Sequence, residues 1–202
     1  MPRSRRATVD LLVVLAAVFG LQQVAGAVGF GIEWFALATP VRRPWTLVTT
    51  VYAHASLGHL LANAVGFVLV GLVLERSTSR IRFHAFVLAT GMVSAGVEFL
   101  VGAALGTPVA VLGASGALLA GFGYLLAGNR LAEGVLARIE IGRRGSVALL
   151  LGVAAAVTLL TAGPGVAVVA HFVGFAIGAV AGRVGVLQGG SRPGTVGGVP
   201  RQ

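Results

Sequence analysis

A serine, three histidines and an asparagine interrupt apolar stretches of this sequence at spacings that could support acyl transfer. Ser115 sits between glycines in Val111–Phe122 (VLGASGALLAGF), His171 opens the glycine-spaced run AHFVGFAIG (Ala170–Gly178), and His54, His59 and Asn63 fall within HASLGHLLAN. A serine hydroxyl becomes a useful nucleophile when an adjacent base takes its proton, and imidazole can do this near neutral pH. His59 and Asn63 are four residues apart, so on a helix they share a face. Both can donate hydrogen bonds, which suits them to a developing oxyanion. Each residue alone has a plainer reading, as a small packing serine or a polar group bonding between helices. Other chemistries fit less well. The chain has no cysteine, and no H-E-x-x-H motif, His54 and His59 being five apart rather than the four of a zincin helix. No acid lies near His171 in sequence, which points to a dyad rather than a Ser-His-Asp triad. Asp10 begins the first apolar run and Glu98 is the one other acid inside a run. Glu98 is expected to be a buried, hydrogen-bonded acid, and His84 a solvated boundary residue. No metal and no cofactor are expected.

The elements that must position these residues are membrane helices. The 202 residues are 56% hydrophobic and 10% charged, with mean hydropathy +0.94, far from an ordinary soluble domain. Six apolar spans are expected, at about Ala7–Val28, Leu57–Leu74, Phe83–Leu105, Ser115–Gly128, Ser146–Ala162 and Val166–Gly182, several of them near the ~20 residues a bilayer crossing needs. The first could instead be a signal peptide cut near Ala25-Gly26-Ala27. Asn129–Gly145 reads as a charged connection. Residues 1–185 form the membrane domain, and residues 186–202, rich in Gly, Pro and Arg, read as a disordered cytoplasmic tail. The net charge of +9 comes from arginines in short clusters between spans, so they are topology signals rather than a nucleic-acid surface. Only Arg42 and Arg43 fall opposite the other clusters, which places both termini in the cytoplasm.

The spans also act as rulers. Ser115 lies fifteen residues before Arg130, His59 and Asn63 sixteen and twelve before Glu75, and His171 twelve before Arg183. At 1.5 Å per residue these are heights of roughly 18 to 24 Å above the cytoplasmic end, one layer in the outer half of the bilayer. The fourth span is too short to cross alone, so Gly106–Leu112 must dip in to meet it, which irregular backbone tolerates only when buried or lining a wet cavity. Ser115 then stands at a helix N-terminus, where free N–H groups favour negative charge. Gly174, Gly178 and Gly182 follow His171 on one face, and Gly116, Ala120, Gly123 and Ala127 form a small-residue stripe beside Ser115. Pressed together, these stripes would bring His171 to Ser115, with Gly116 as the close-approach point and Gly113 in the turn that exposes the hydroxyl.

These residues resemble the rhomboid family of intramembrane serine proteases. His54–Asn63 is similar to the family's H-x4-H-x3-N pattern, with Gly71 and Glu75 at familiar offsets. Gly113–Gly116 is similar to its G-x-S-G motif, and Ala170–Gly178 to its A-H-x2-G-x3-G motif. Each motif alone is weak, but three in order over the second to sixth spans are specific. The resemblance implies an all-α polytopic membrane protein, a six-helix bundle whose short fourth helix starts at the catalytic serine. By it, Ser115 is the nucleophile and His171 the base, while His59, Asn63 and the Ser115 N–H form the oxyanion hole. His54 is a structural partner beneath the first loop, and Glu75 holds the cytoplasmic end of the second helix. Gly113, Gly116, Gly174 and Gly178 support the site. Substrates would be transmembrane segments of other proteins in the cell membrane, entering past a mobile fifth helix and cut near the outer face. The rival reading is an inactive relative that binds membrane clients; such relatives usually lose the serine or the histidine, and this chain keeps both. Two departures bear on substrate range and base orientation. Leu119 stands where many members carry an aromatic, and the first loop offers Trp34 and Arg42-Arg43-Pro44-Trp45 in place of a Trp-Arg dipeptide.

Overall fold

A computed structural model describes residues 6–128, 143–160 and 166–188. The six apolar runs form helices α1 (Ala7–Ala27), α3 (Leu57–Leu74), α4 (Arg80–Ala104), α5 (Ser115–Ala127), α6 (Arg143–Leu160) and α7 (Val168–Val184). Between α1 and α3 lie a 3-10 turn (Ile32–Trp34) and the four-residue helix α2 (Thr46–Thr49). Of these helices α1, α3 and α4 are long and apolar enough to cross a bilayer, whereas α5, α6 and α7 are apolar but shorter. The connection expected at Asn129–Gly145 lies almost wholly outside the described residues.

Local chemistry sets the helix starts. Ser56 and Ser79, both with extended backbone, accept the N–H groups of His59 (3.1 Å) and Arg82 (3.3 Å) and so cap α3 and α4. At the other end of the chain, Gly185 closes α7 in the left-handed conformation, φ +71°. The chain stays packed for a few residues past the end of α7. Leu187 is fully buried, its N–H donates to the Tyr124 hydroxyl (3.1 Å), and Arg82 donates to the Gln188 carbonyl (3.1 Å).

Helices α5 and α7 form the centre, with α4 packed on both, α3 against α5, α1 against α3 and α6 against α7. The closeness of α5 and α7 follows from glycine. A Cβ on Gly174, Gly178 or Gly182 would fall onto the backbone carbonyls of Gly116, Ala120 and Tyr124 respectively, so the two backbones touch along three turns. Gly116 is a point of close approach to α7, as expected, and has a second neighbour besides. Its own missing Cβ faces Ser94 of α4, at 2.7 Å from Ser94 Cβ, and it is Gly174 that makes room for the α5 backbone.

The helix α1 is part of this body. Leu11 and Leu15 are wholly buried against the α3 and α4 core. At one end of α1, Thr8 donates through both its N–H and its hydroxyl to Glu75 (3.0 Å each). At the other, Gln22 exchanges two hydrogen bonds with the backbone of His54 (3.0 and 3.3 Å). Glu75 therefore holds two helices together, not merely the end of one.

One feature departs from an all-helical reading. Leu37–Ala38 (β1) and Ala110–Val111 (β2) form a two-residue antiparallel ladder, Leu37 opposite Val111 and Ala38 opposite Ala110. Four residues carry no periodicity from which a strand can be read.

Candidate active site

Ser115 is the first residue of α5, delivered by a turn that only glycine accommodates well. Gly113 has φ +123°, and a Cβ there would lie 2.6 Å from the His59 ring. The turn is clamped from outside the motif. The Gly113 N–H donates to the Thr50 carbonyl (2.9 Å), and the Thr50 hydroxyl donates to the Val111 carbonyl. One step earlier, Thr39 bonds to the Val109 backbone in both directions, with N–H donating at 3.0 Å each way. The segment leading into α5 is thus fastened to the first loop, a role for Thr39 and Thr50 that no sequence motif announces.

Across from the serine, α7 places the His171 Nε2 2.8 Å from Ser115 Oγ, short enough for the hydroxyl to donate to the ring. His171 is mostly buried and Ser115 partly so. The pair lies on a cleft of about 450 Å³ whose lining includes His59, Asn63, Leu118 and Leu119. Ser115, His171, His59 and Asn63, from three helices, therefore meet around one cavity, of a size that ligand sites commonly have. The α5 N-terminus opens here, Ala114 at its N-cap having no side-chain acceptor, so its first N–H groups have no partner within the helix.

Asn63 is buried, and its Nδ2 donates to the His59 carbonyl one turn back (2.9 Å) while Oδ1 has no partner among the described residues. A second Nδ2 hydrogen remains for a ligand. The His59 ring rests between Gly113 and the His54 ring, which it meets edge-on at 5.0 Å.

His54 stands behind this layer, outside the cleft lining. Its Nδ1–H donates to the Tyr52 carbonyl (3.0 Å) and its backbone is held by Gln22, so its partner is α1 as much as the first loop. Burial, with a smaller push from His59, holds its pKa down to about 4 against the pull of the Tyr52 bond. Its Nε2 has no partner among the described residues, so a proton there would be a buried charge without an acceptor.

A rhomboid-domain family profile matches residues 41–188. The chain belongs to the rhomboid family. The family is one of intramembrane serine proteases acting on membrane-protein substrates in the bilayer, so this rhomboid chain is read as an integral membrane protein. No curated protein matches the chain.

In the rhomboid first loop the two tryptophans and Arg43 come together in space. The Arg43 guanidinium lies 4.1 Å over the Trp34 ring, and the Trp45 indole N–H donates to the Trp34 carbonyl (3.1 Å). Leu119 lines the cleft and joins an apolar cluster with Phe175 and Ala179 of α7. His84 is not simply solvated: it lies 3.9 Å from the Asp10 carboxylate, which pairs with Arg80 at 2.5 Å. Glu98 has a definite partner, accepting the Ala170 N–H at 2.8 Å.

Proposed function

We propose that this rhomboid protein is an intramembrane serine endopeptidase that cuts transmembrane segments through a Ser115–His171 dyad. The observation that carries this reading is the 2.8 Å contact between Ser115 Oγ and His171 Nε2 on an accessible cleft. In the proposed reaction, Oγ attacks the scissile carbonyl as His171 takes its proton. The oxyanion forms at the α5 N-terminus, within reach of the Ser115 N–H, Asn63 Nδ2 and His59, where fixed dipoles in a dry site act strongly. His171 then returns the proton to the leaving amine, and water, activated by the same ring, hydrolyses the acyl-enzyme. Six spans with both termini cytoplasmic would set this cleft towards the outer face, because the Arg clusters bias loops to the inside. The apolar helices suit substrates that are themselves membrane segments.

Labelling of the detergent-solubilised protein with a serine-directed fluorophosphonate tests the reading. Wild type should label, Ser115→Ala should not, and His171→Ala should lose both labelling and cleavage of a model transmembrane substrate. Equal labelling of wild type and Ser115→Ala would remove the nucleophile. A wild type that neither labels nor cleaves would favour an inactive, client-binding relative.

A further inference from the structure

Glu98 is an acid on a membrane helix, where a carboxylate is costly and needs a reason. It lies on α4 and is half-buried, and its Oε2 accepts the Ala170 N–H at 2.8 Å. Ala170 is the third residue of α7, one of the amides that have no acceptor within their own helix. The N-cap position is Ala167, whose side chain can supply no cap. The cap therefore comes from another helix, the Glu98 oxygen accepting one of the amides that α7 leaves open. The next residue along is His171, whose own N–H makes a bond to the Ala167 carbonyl at 3.1 Å in that same first turn.

One turn away on the same face of α4, Ser94 lies under Gly116, the residue that follows the nucleophile. Ser94 is held in turn by its hydroxyl, which donates to the Thr90 carbonyl (2.7 Å). A single face of α4 thus contacts the residue after Ser115 and the residue before His171. Because α4 is a rigid helix, the separation of these two contacts is set by its pitch.

We propose that Glu98 is a positioning residue for the dyad: by capping the first turn of α7 from α4, it fixes the approach of His171 to Ser115. This rests on the protease reading above. The hydrogen-bond acceptor is what matters, so Gln at this position should serve and a side chain without an acceptor should not.

The test compares the full-length protein in detergent as wild type, Glu98→Ala, Glu98→Gln and Glu98→Met, well below the melting temperature of the least stable variant. Glu98→Ala and Glu98→Met should lower kcat on a model transmembrane substrate by about tenfold or more, as expected when a reacting pair is misplaced by a fraction of an ångström. KM should stay within about twofold and Glu98→Gln should recover kcat to within about threefold of wild type, because the pocket is untouched and the acceptor is restored. Amide exchange in the first turn of α7 should be faster in Glu98→Ala and Glu98→Met than in wild type and Glu98→Gln. A melting temperature that falls while kcat holds would reduce Glu98 to a structural residue and overturn the proposal. So would a Glu98→Gln protein as slow as Glu98→Met. If wild type itself fails to label or cleave, the protease reading fails, and the exchange pattern still decides whether Glu98 caps α7: equal exchange in all four proteins would sink it. If Glu98→Ala does not fold, the Gln and Met pair, close to Glu in volume, carries the comparison.

Discussion

At the scale of single residues, the site pairs a serine with a histidine carried by another helix, Nε2 lying 2.8 Å from Oγ. The helix that carries the histidine and its packing set where the ring can lie, which gives the neighbours of Ser115 and His171 weight. Asn63, proposed above as an oxyanion donor, is the clearest case to test. It is buried, spends one Nδ2 hydrogen on its own helix and is among the residues that line the cleft. Asn63→Ala should lower kcat by about 10²-fold or less with little change in KM, since one donor is lost among several. Steady-state kinetics on a model transmembrane substrate would show it, and an unchanged kcat would remove Asn63 from the oxyanion hole. Ser115, His171, His59 and Asn63 were legible in the sequence because polar groups stand out against apolar runs and helical pitch turns position into height. Thr50 and Ser94 were not legible, because a threonine or serine in such surroundings has many ordinary uses, and what distinguishes these two is which backbone they touch.

At the scale of elements, the decisive contact is α5 against α7. Glycines at 174, 178 and 182 let α7 lie on the carbonyls of α5, and the obstacle to any side chain there is backbone, which cannot rotate aside. Gly178→Val should therefore destabilise by about 1–3 kcal/mol or more through overpacking, and lower activity by pushing His171 away from Ser115. Gly152 in α6 provides the contrast, because nothing lies within 4 Å of a Cβ built there. Gly152→Ala should be neutral or stabilising by up to about 1 kcal/mol, from helix propensity alone. Thermal melting of the two variants in one detergent checks both, and similar shifts would mean that the interface is more forgiving than its geometry. The glycine stripe itself could be read from the sequence. Its partner carbonyls could not, since helix rotation about a shared axis is settled only by packing, and neither could the second contact of Gly116 with Ser94 of α4.

At the scale of the whole molecule, α1 is fastened at both ends by polar contacts, Thr8 to Glu75 and Gln22 to the His54 backbone. An apolar helix in lipid gains little from hydrophobic burial against its neighbours, so such contacts do much of the joining. The second fastening brings a pH dependence through His54. With the ring's pKa lowered from 6.5 to about 4, the unfolded state binds the proton more readily than the folded one. His54 therefore contributes stability that is complete above pH 6.5 and is lost as pH falls towards 4. Melting temperatures of wild type should fall more steeply over that interval than those of His54→Gln. Parallel curves would show that the ring is not held neutral by the fold. The first loop belongs to this scale as well: through the β1–β2 ladder and Thr39 and Thr50 it steadies the turn before Ser115, a link between segments about seventy residues apart.

What the sequence determined by itself is the class of protein and the polar residues that line its cleft. Composition demands a membrane bundle, arginine clusters bias its orientation, and polar residues at one computed depth, set in three spaced motifs, point to acyl transfer. These are properties of each helix taken alone, which is why they need no tertiary information. Only the tertiary structure decided how the helices rotate against one another: that Gly174, Gly178 and Gly182 of α7 meet α5 carbonyls while Gly123 of α5 meets the Phe175 carbonyl, that Arg43 finds Trp34 across the first loop, that residues 186–188 fold back onto the body, and that Glu98 on α4 reaches the first turn of α7. Each depends on the meeting of distant segments through backbone groups, and backbone groups are the same in every sequence.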